Sequence, residues 1–219
     1  MKHIHYSDSE AVLSDLLRRY PVLLPQKRNI EEAYAILCSC FSGGGRLLLC
    51  GNGGSAADAL HIAGELMKSF ILPRKPDPAL CKALEEQFPQ DAPLLTEKLE
   101  RALPAITLVE NAALATAVQN DTAAKLVFAQ QVYGLGRKGD ALLGISTSGN
   151  SENVLYAAEV AKALGMRVIT LTGRGPNRLE AVSDCQIAVD DDETFRVQEL
   201  HLPVYHALCL MLEHSFYAE

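Results

Sequence analysis

The chain alternates short, uniformly apolar runs with longer stretches whose apolar positions recur every three or four residues. The short runs are RLLLC (46–50), AITLV (105–109), DALLGIST (140–147), RVITLTG (167–173) and CQIAV (185–189). Each predicts a strand buried on both faces, because a strand with one wet face would alternate apolar with polar. The longer stretches predict helices. Val12, Leu13, Leu16 and Leu17 are helically spaced behind Ser and Asp cap candidates, and a second helix from Asn29 stops at the SGGG of 42–45. Others follow the Gly-rich turn after Cys50, begin near Asn111 and Thr122, and run over NVLYAAEVAKALG (153–165). The last spans about Thr194 to Tyr217, with Pro203 expected to kink it or delay its start. Strands alternating with helices predict an α/β domain, its parallel sheet covered on both faces. Ligands of such domains bind beyond the carboxyl ends of the strands, where the Gly/Ser-rich loops fall here.

One segment breaks the rhythm. Residues 72–103 hold five prolines and two short helix-like pieces, ALCKALEEQF and APLLTEKLERAL. It reads as a helical insertion, either a wall near the site or a surface decoration.

At 219 residues and 48% apolar, the chain can bury a core as one domain over 1–219, with N-terminal helices at about 7–42 and the insertion at about 72–103. No apolar run approaches the roughly 18 residues of a membrane span, so no membrane association is expected. The start, MKHIHYSDSE, lacks a signal-peptide core, and a cytoplasmic protein is expected. The formal charge of −7, without a basic cluster, argues against nucleic acid as a partner. A small anion remains possible as a ligand, because backbone amides hold phosphate without lysines. The cysteines (Cys38, Cys40, Cys50, Cys81, Cys185, Cys209) are scattered with no CxxC pair, so buried free thiols are expected rather than disulfides or a zinc knuckle.

The candidate chemistry lies in three places. In GISTSGNSENV (144–154), Ser146, Thr147, Ser148 and Ser151 place four hydroxyls at a strand-to-helix turn that Gly149 lets bend. With turn amides and a helix N-terminus they make an anion cradle. An ordinary capping loop accounts for one or two such residues, but not for the run. GNGGS (51–55) follows another strand, with Asn52 and Ser55 as polar handles. It has neither the P-loop pattern nor GxGxxG spacing, so no nucleotide cofactor is expected.

His61 and Glu65 are four apart on one helix face. They suit a hydrogen-bonded pair in a half-buried groove, metal ligands, or a proton-shuttling carboxylate with its orienting imidazole. On the last helix Gln198, His201 and Tyr205 form a stripe. His206 lies about 12 Å along and about 80° round from Gln198, so both reach one metal only at full stretch. His214 is expected at the surface.

The segments CGNGGSAADALHIAGEL, VQND, GDALLGISTSGNSENV, RVITLTG and RVQELHLPVYH together resemble the sugar isomerase (SIS) family, and within it the sedoheptulose 7-phosphate isomerases, also called phosphoheptose isomerases. With their flanks they cover most of the chain outside 72–103. The resemblance implies a three-layer, flavodoxin-like fold with a five-stranded parallel sheet, and a homotetramer with active sites between subunits. It implies that Ser55, Ser146, Thr147, Ser148 and Ser151 hold a sugar phosphate. Asn52, Gly53, Asp121 and Gln198 contact the substrate, and Glu65 and His206 form the acid–base pair of an aldose–ketose isomerisation through an enediol. In zinc-bearing members the ligands correspond to His61, Glu65, Gln198 and His206. The chain departs from the pattern in its long insertion, in GRGPNR after the fourth strand, and at Phe195, where many members have aspartate.

Two rival functions remain open at this level. Some SIS proteins are non-catalytic binders or regulators, one of which binds the replication initiator DnaA. That type lacks the carboxylate and histidine matching Glu65 and His206, which this chain keeps. The other rival is an isomerase of a different sugar phosphate, whose loops would look the same.

Overall fold

The computed structural model describes residues 6–218. The signal-peptide reading of the first five residues lies outside them. Five strands form one parallel sheet: β1 (Leu47–Gly51), β2 (Ala105–Thr107), β3 (Ala141–Ile145), β4 (Arg167–Thr172) and β5 (Cys185–Ala188), in the order β2-β1-β3-β4-β5. This is the flavodoxin-like order that the resemblance implies.

The central runs are buried because β1, β3 and β4 each feed two cores, whereas the edge strand β5 buries only Cys185 and Ile187, on one face. Leu47, Leu49, Leu143, Ile169 and Ile187 face one core, packed with α1 (Ser9–Arg19), α2 (Lys27–Ser42), α3 (Gly54–Met67) and α9 (Thr194–Tyr217). Leu48, Cys50, Leu142 and Val168 face the other, packed with α7 (Val127–Leu135) and α8 (Glu152–Ala163). The period of two along the central strands therefore separates two apolar layers rather than core from solvent. α1 starts where its cap predicts: the Asp8 carboxylate accepts the Ala11 N–H at 2.8 Å, and Val12, Leu13, Leu16 and Leu17 are buried. Among the described residues no helix is long and apolar enough to cross a membrane. All six cysteines are free, and burial pushes the Cys40 thiol up to about 11 and those of Cys50 and Cys185 to about 12.

Residues 72–103 contain two short helices, α4 (Pro78–Gln87) and α5 (Ala92–Lys98). α4 buries none of its residues and α5 only Ala92, which leaves Leu80, Phe88, Leu94 and Leu99 exposed. The segment is rooted where Arg101 N–H bonds Arg74 O and Leu103 N–H bonds Leu66 O.

Three local expectations need correction. The helix expected near Thr122 starts only at Val127. After α6 (Ala112–Val118), residues Gln119–Ala123 form a π turn and Ala124–Leu126 a 3-10 turn. Pro203 does not delay the start of α9, which runs unbroken from Thr194. The bond lost at Pro203 would have gone to the carbonyl of Glu199, an exposed residue, so water can replace it. His214 is buried, its ring edge-on to Tyr6 at 6.4 Å, because α1 packs over that face of α9.

Candidate active site

In the order β2-β1-β3, the connections after β1 and β3 leave toward opposite sides of the sheet and open a crevice at its carboxyl edge. A cavity of about 290 Å³ lies there, lined by Asn52, Gly53, Gly54, Ser55, Ile145, Ser146, Thr147, Ser151, Thr194 and Gln198. None of these residues is charged. Three helices, α3, α8 and α9, all begin at the cavity. The residues preceding them, Gly53, Ser151 and Glu193, supply no side-chain cap bond. Three helix N-termini suit an anion, whose charge the helix dipoles favour, although one first-turn amide of α8, Val154 N–H, already donates to Asn153 Oδ1 at 3.0 Å.

In the serine-rich loop the residue at the N-cap does not cap the helix with its side chain. Ser151 stands at the N-cap of α8, yet its hydroxyl pairs with that of Ser146 at 2.9 Å. Ser55 is buried in the first turn of α3. On the opposite wall the backbone calls for glycine at Gly53, and Gly54 lets the Gln198 amide approach closely. Gly53 has φ +54, and a Cβ on Gly54 would stand 2.5 Å from Gln198 Nε2.

Two sequence candidates stand apart from the cavity lining. Ser148 is exposed, and its hydroxyl accepts the Asn150 N–H at 3.2 Å. Asp121 is exposed on the π turn, where Asn120 Nδ2 donates to it at 2.8 Å. Gln119, on the same turn, does line a neighbouring cavity of about 460 Å³, which shares Asn52 and Gly53 with the first. Residues missed at the sequence level also appear. Thr194 lines the first cavity, and Asn153 exchanges two amide bonds with Asn52, at 2.9 and 2.8 Å. Asn153 stood inside the quoted GISTSGNSENV motif, but its partner lies 101 positions away. Another cavity, also about 460 Å³, lies at the amino ends of β3 and β4 among Ile36, Cys40, Gly139 and Arg167, at the end of the sheet opposite the crevice.

The acid–base candidates form a second cluster. His61 Nε2 lies 3.2 Å from Glu65 Oε1, and its Nδ1 lies 3.1 Å from the Tyr205 hydroxyl, which donates to Asp58 at 3.3 Å. Burial raises the Asp58 carboxyl above its ordinary range. His206 packs edge-on to His61 at 4.9 Å and against the Phe70 ring at 5.6 Å. Its Nε2 is buried without a hydrogen-bond partner. Burial holds its pKa below the usual imidazole value, His61 pushes the same way, and Glu65 opposes them. His201, on the same helix, is fully buried with Nε2 3.2 Å from Thr172 O, which fixes Nε2 as the protonated nitrogen. Burial lowers its pKa to about 4.

The two clusters share helices but not a location. Ten residues of α3 separate Ser55 from Glu65, about 15 Å, and eight of α9 separate Gln198 from His206, about 12 Å. Among the described residues no three His, Cys, Asp or Glu side chains are gathered as a metal-binding group. Within one chain Gln198 lies about 12 Å along α9 from His206, so the four implied zinc ligands do not converge on one point without full side-chain stretch.

The SIS domain family model matches residues 13–101 and 83–173. The phosphoheptose isomerase of Nitratiruptor sp. is 40% identical over 188 residues, 86% of this chain and 87% of that protein. The phosphoheptose isomerase of Desulfovibrio desulfuricans is 38% identical, covering 88% and 79% respectively. Among solved structures, phosphoheptose isomerase GmhA from Neisseria gonorrhoeae superposes with a TM-score of 0.71 at 32% identity, over 93% of this chain and 96% of that one. A phosphoheptose isomerase from Francisella tularensis gives 0.69 at 34%, over 84% and 85%. The chain belongs to the SIS domain family and, within it, to the phosphoheptose isomerases.

Proposed function

We propose that this protein is an aldose–ketose isomerase that interconverts sedoheptulose 7-phosphate and D-glycero-D-manno-heptose 7-phosphate through an enediol. One observation carries this reading: an uncharged cavity where three helices begin stands in a chain that also holds a carboxylate and a desolvated imidazole close together. The names of the relatives supply the sugar. A non-catalytic SIS binder would have no use for the Glu65 and His206 cluster.

The phosphate sits among Ser55, Ser146, Thr147 and Ser151, where neutral donors and helix ends replace its water. Glu65, as carboxylate, takes a proton from the carbon beside the carbonyl, and the carbon–hydrogen electrons form the enediol double bond. Glu65 then returns a proton to the neighbouring carbon, after exchange with solvent while the enediol lives. His206 moves the oxygen-bound proton between the two oxygens, a task for an imidazole that is neutral at pH 7. Each step contributes about 10²–10⁴-fold.

The 15 Å between Ser55 and Glu65 makes the oligomer part of the proposal. A second copy brings its Glu65 and His206 to the cavity of the first, within a homotetramer. Zinc, if the protein uses it, takes ligands from more than one copy; it would polarise the carbonyl, and the steps above are written without it. Phosphorylated sugars do not cross bilayers unaided, which favours a cytoplasmic enzyme.

Incubation with sedoheptulose 7-phosphate, fructose 6-phosphate and ribulose 5-phosphate, each followed for aldose product, tests the assignment. Turnover of the seven-carbon ketose with at least tenfold higher kcat/KM is expected. Preference for a shorter ketose would replace the substrate, and turnover of none would refute the enzyme.

A further inference from the structure

Arg74 and Glu213 form an ion pair that is 1% and 0% exposed, and no step above uses it. Glu213 lies on α9 and accepts the N–H groups of Phe70, Ile71 and Leu72 at 2.7, 2.8 and 3.1 Å. It also accepts Arg74 Nε at 2.9 Å. Arg74 then turns back to the end of α3. Its Nη1 donates to Leu66 O at 2.7 Å and its Nη2 to Glu65 O at 3.1 Å. The guanidinium stacks on the Tyr217 ring at 4.7 Å.

These bonds join the two helices that carry the acid–base pair. Glu213 is two turns beyond His206, about 10 Å along α9 and nearly on the same face. The backbone it holds includes Phe70, whose ring packs on His206. Arg74 satisfies carbonyls that a helix end leaves without partners, and one belongs to Glu65 itself. Apolar residues of similar volume often stabilise a core as well as a buried ion pair does, so stability alone does not explain the charges.

We infer that Arg74 and Glu213 are positioning residues, which fix the last turn of α3 against α9 and so set Glu65 relative to His206. The inference rests on the proposed acid–base roles. Arg74 donates to both Glu65 O and Leu66 O while paired with Glu213; lysine keeps the charge but not the fork.

The test compares wild type, Arg74→Lys and the apolar double variant Arg74→Met/Glu213→Leu. Melting temperature, kcat, KM and amide hydrogen exchange along α3 are measured for each. The expected double variant melts near or above wild type and loses at least tenfold in kcat with KM within twofold. Exchange rises at residues 65–72 while residues 55–59 keep wild-type protection. A folded double variant with kcat within twofold of wild type, or with exchange unchanged at 65–72, overturns the inference. Should it fail to fold, Arg74→Lys decides by the same criteria. Absent wild-type turnover would count against the isomerase itself, whereas the exchange pattern reports on the clamp alone.

Discussion

His61 and His206 meet edge to face, ring centroids 4.9 Å apart and planes 85° to one another, on helices 145 positions apart in sequence. Their environments differ. Both nitrogens of His61 are engaged, by Glu65 and Tyr205, whereas Nε2 of His206 is buried with no partner. A desolvated, unpartnered nitrogen beside a carboxylate is the natural proton carrier of the pair. His61 is the ring that orients Glu65.

Removing the shuttle should separate binding from chemistry. Glu65→Gln preserves shape but cannot take a proton from carbon, so kcat should fall at least a hundredfold. Calorimetric affinity for a phosphorylated ketose should stay within about twofold, because the cradle is untouched. A variant that keeps more than a tenth of wild-type rate takes Glu65 out of the acid–base role.

The cradle should respond in the opposite sense. Ser55→Ala and Ser151→Ala each delete a hydroxyl at the anion cavity, and a hydrogen bond to a charged group contributes about 1.5–3 kcal/mol. Binding of any phosphorylated ketose, read by calorimetry, should weaken about ten- to a hundredfold. Unchanged affinity in both would move the phosphate elsewhere.

Separation of the clusters predicts complementation. Glu65→Gln chains keep a working cradle, and Ser55→Ala/Ser151→Ala chains keep a working acid–base pair. If each site draws on two copies, unfolding and refolding an equal mixture should restore up to about a quarter of wild-type activity. Sites contained in one chain would give no recovery.

His201 gives a signed dependence of stability on pH. Its folded pKa of about 4 lies below the unfolded value near 6.5, so the unfolded chain takes up the proton first as pH falls. Its stabilisation is complete above pH 6.5 and is lost progressively toward pH 4, by up to about 3 kcal/mol. Denaturant titrations over that window should show this loss in wild type and a flatter profile in His201→Gln. Parallel profiles would assign the loss to other groups.

Most of the fold was legible because the runs of β1, β3 and β4 are buried on both faces; the edge strands β2 and β5, expected to be buried likewise, are only partly buried. All five runs became strands, and α9 spans Thr194–Tyr217 as its periodicity predicts. What escaped was decided by tertiary contact. The π turn at Gln119–Ala123 delays α7 although Thr122 is a plausible cap, and nothing local marks α1 as the cover of His214. At the site, loop chemistry pointed to Ser55, Ser146, Thr147 and Ser151. The Asn52–Asn153 amide pair and the Arg74–Glu213 clamp join positions 101 and 139 residues apart, beyond the reach of any spacing rule.

The most direct measurement is incubation with sedoheptulose 7-phosphate in deuterated water, followed by NMR. The account predicts an aldose heptose 7-phosphate that carries deuterium at the carbon beside the new carbonyl, because the proton held by Glu65 exchanges with solvent while the enediol lives. No aldose, or an aldose formed without exchange at that carbon over long incubation, would contradict an enediol isomerase.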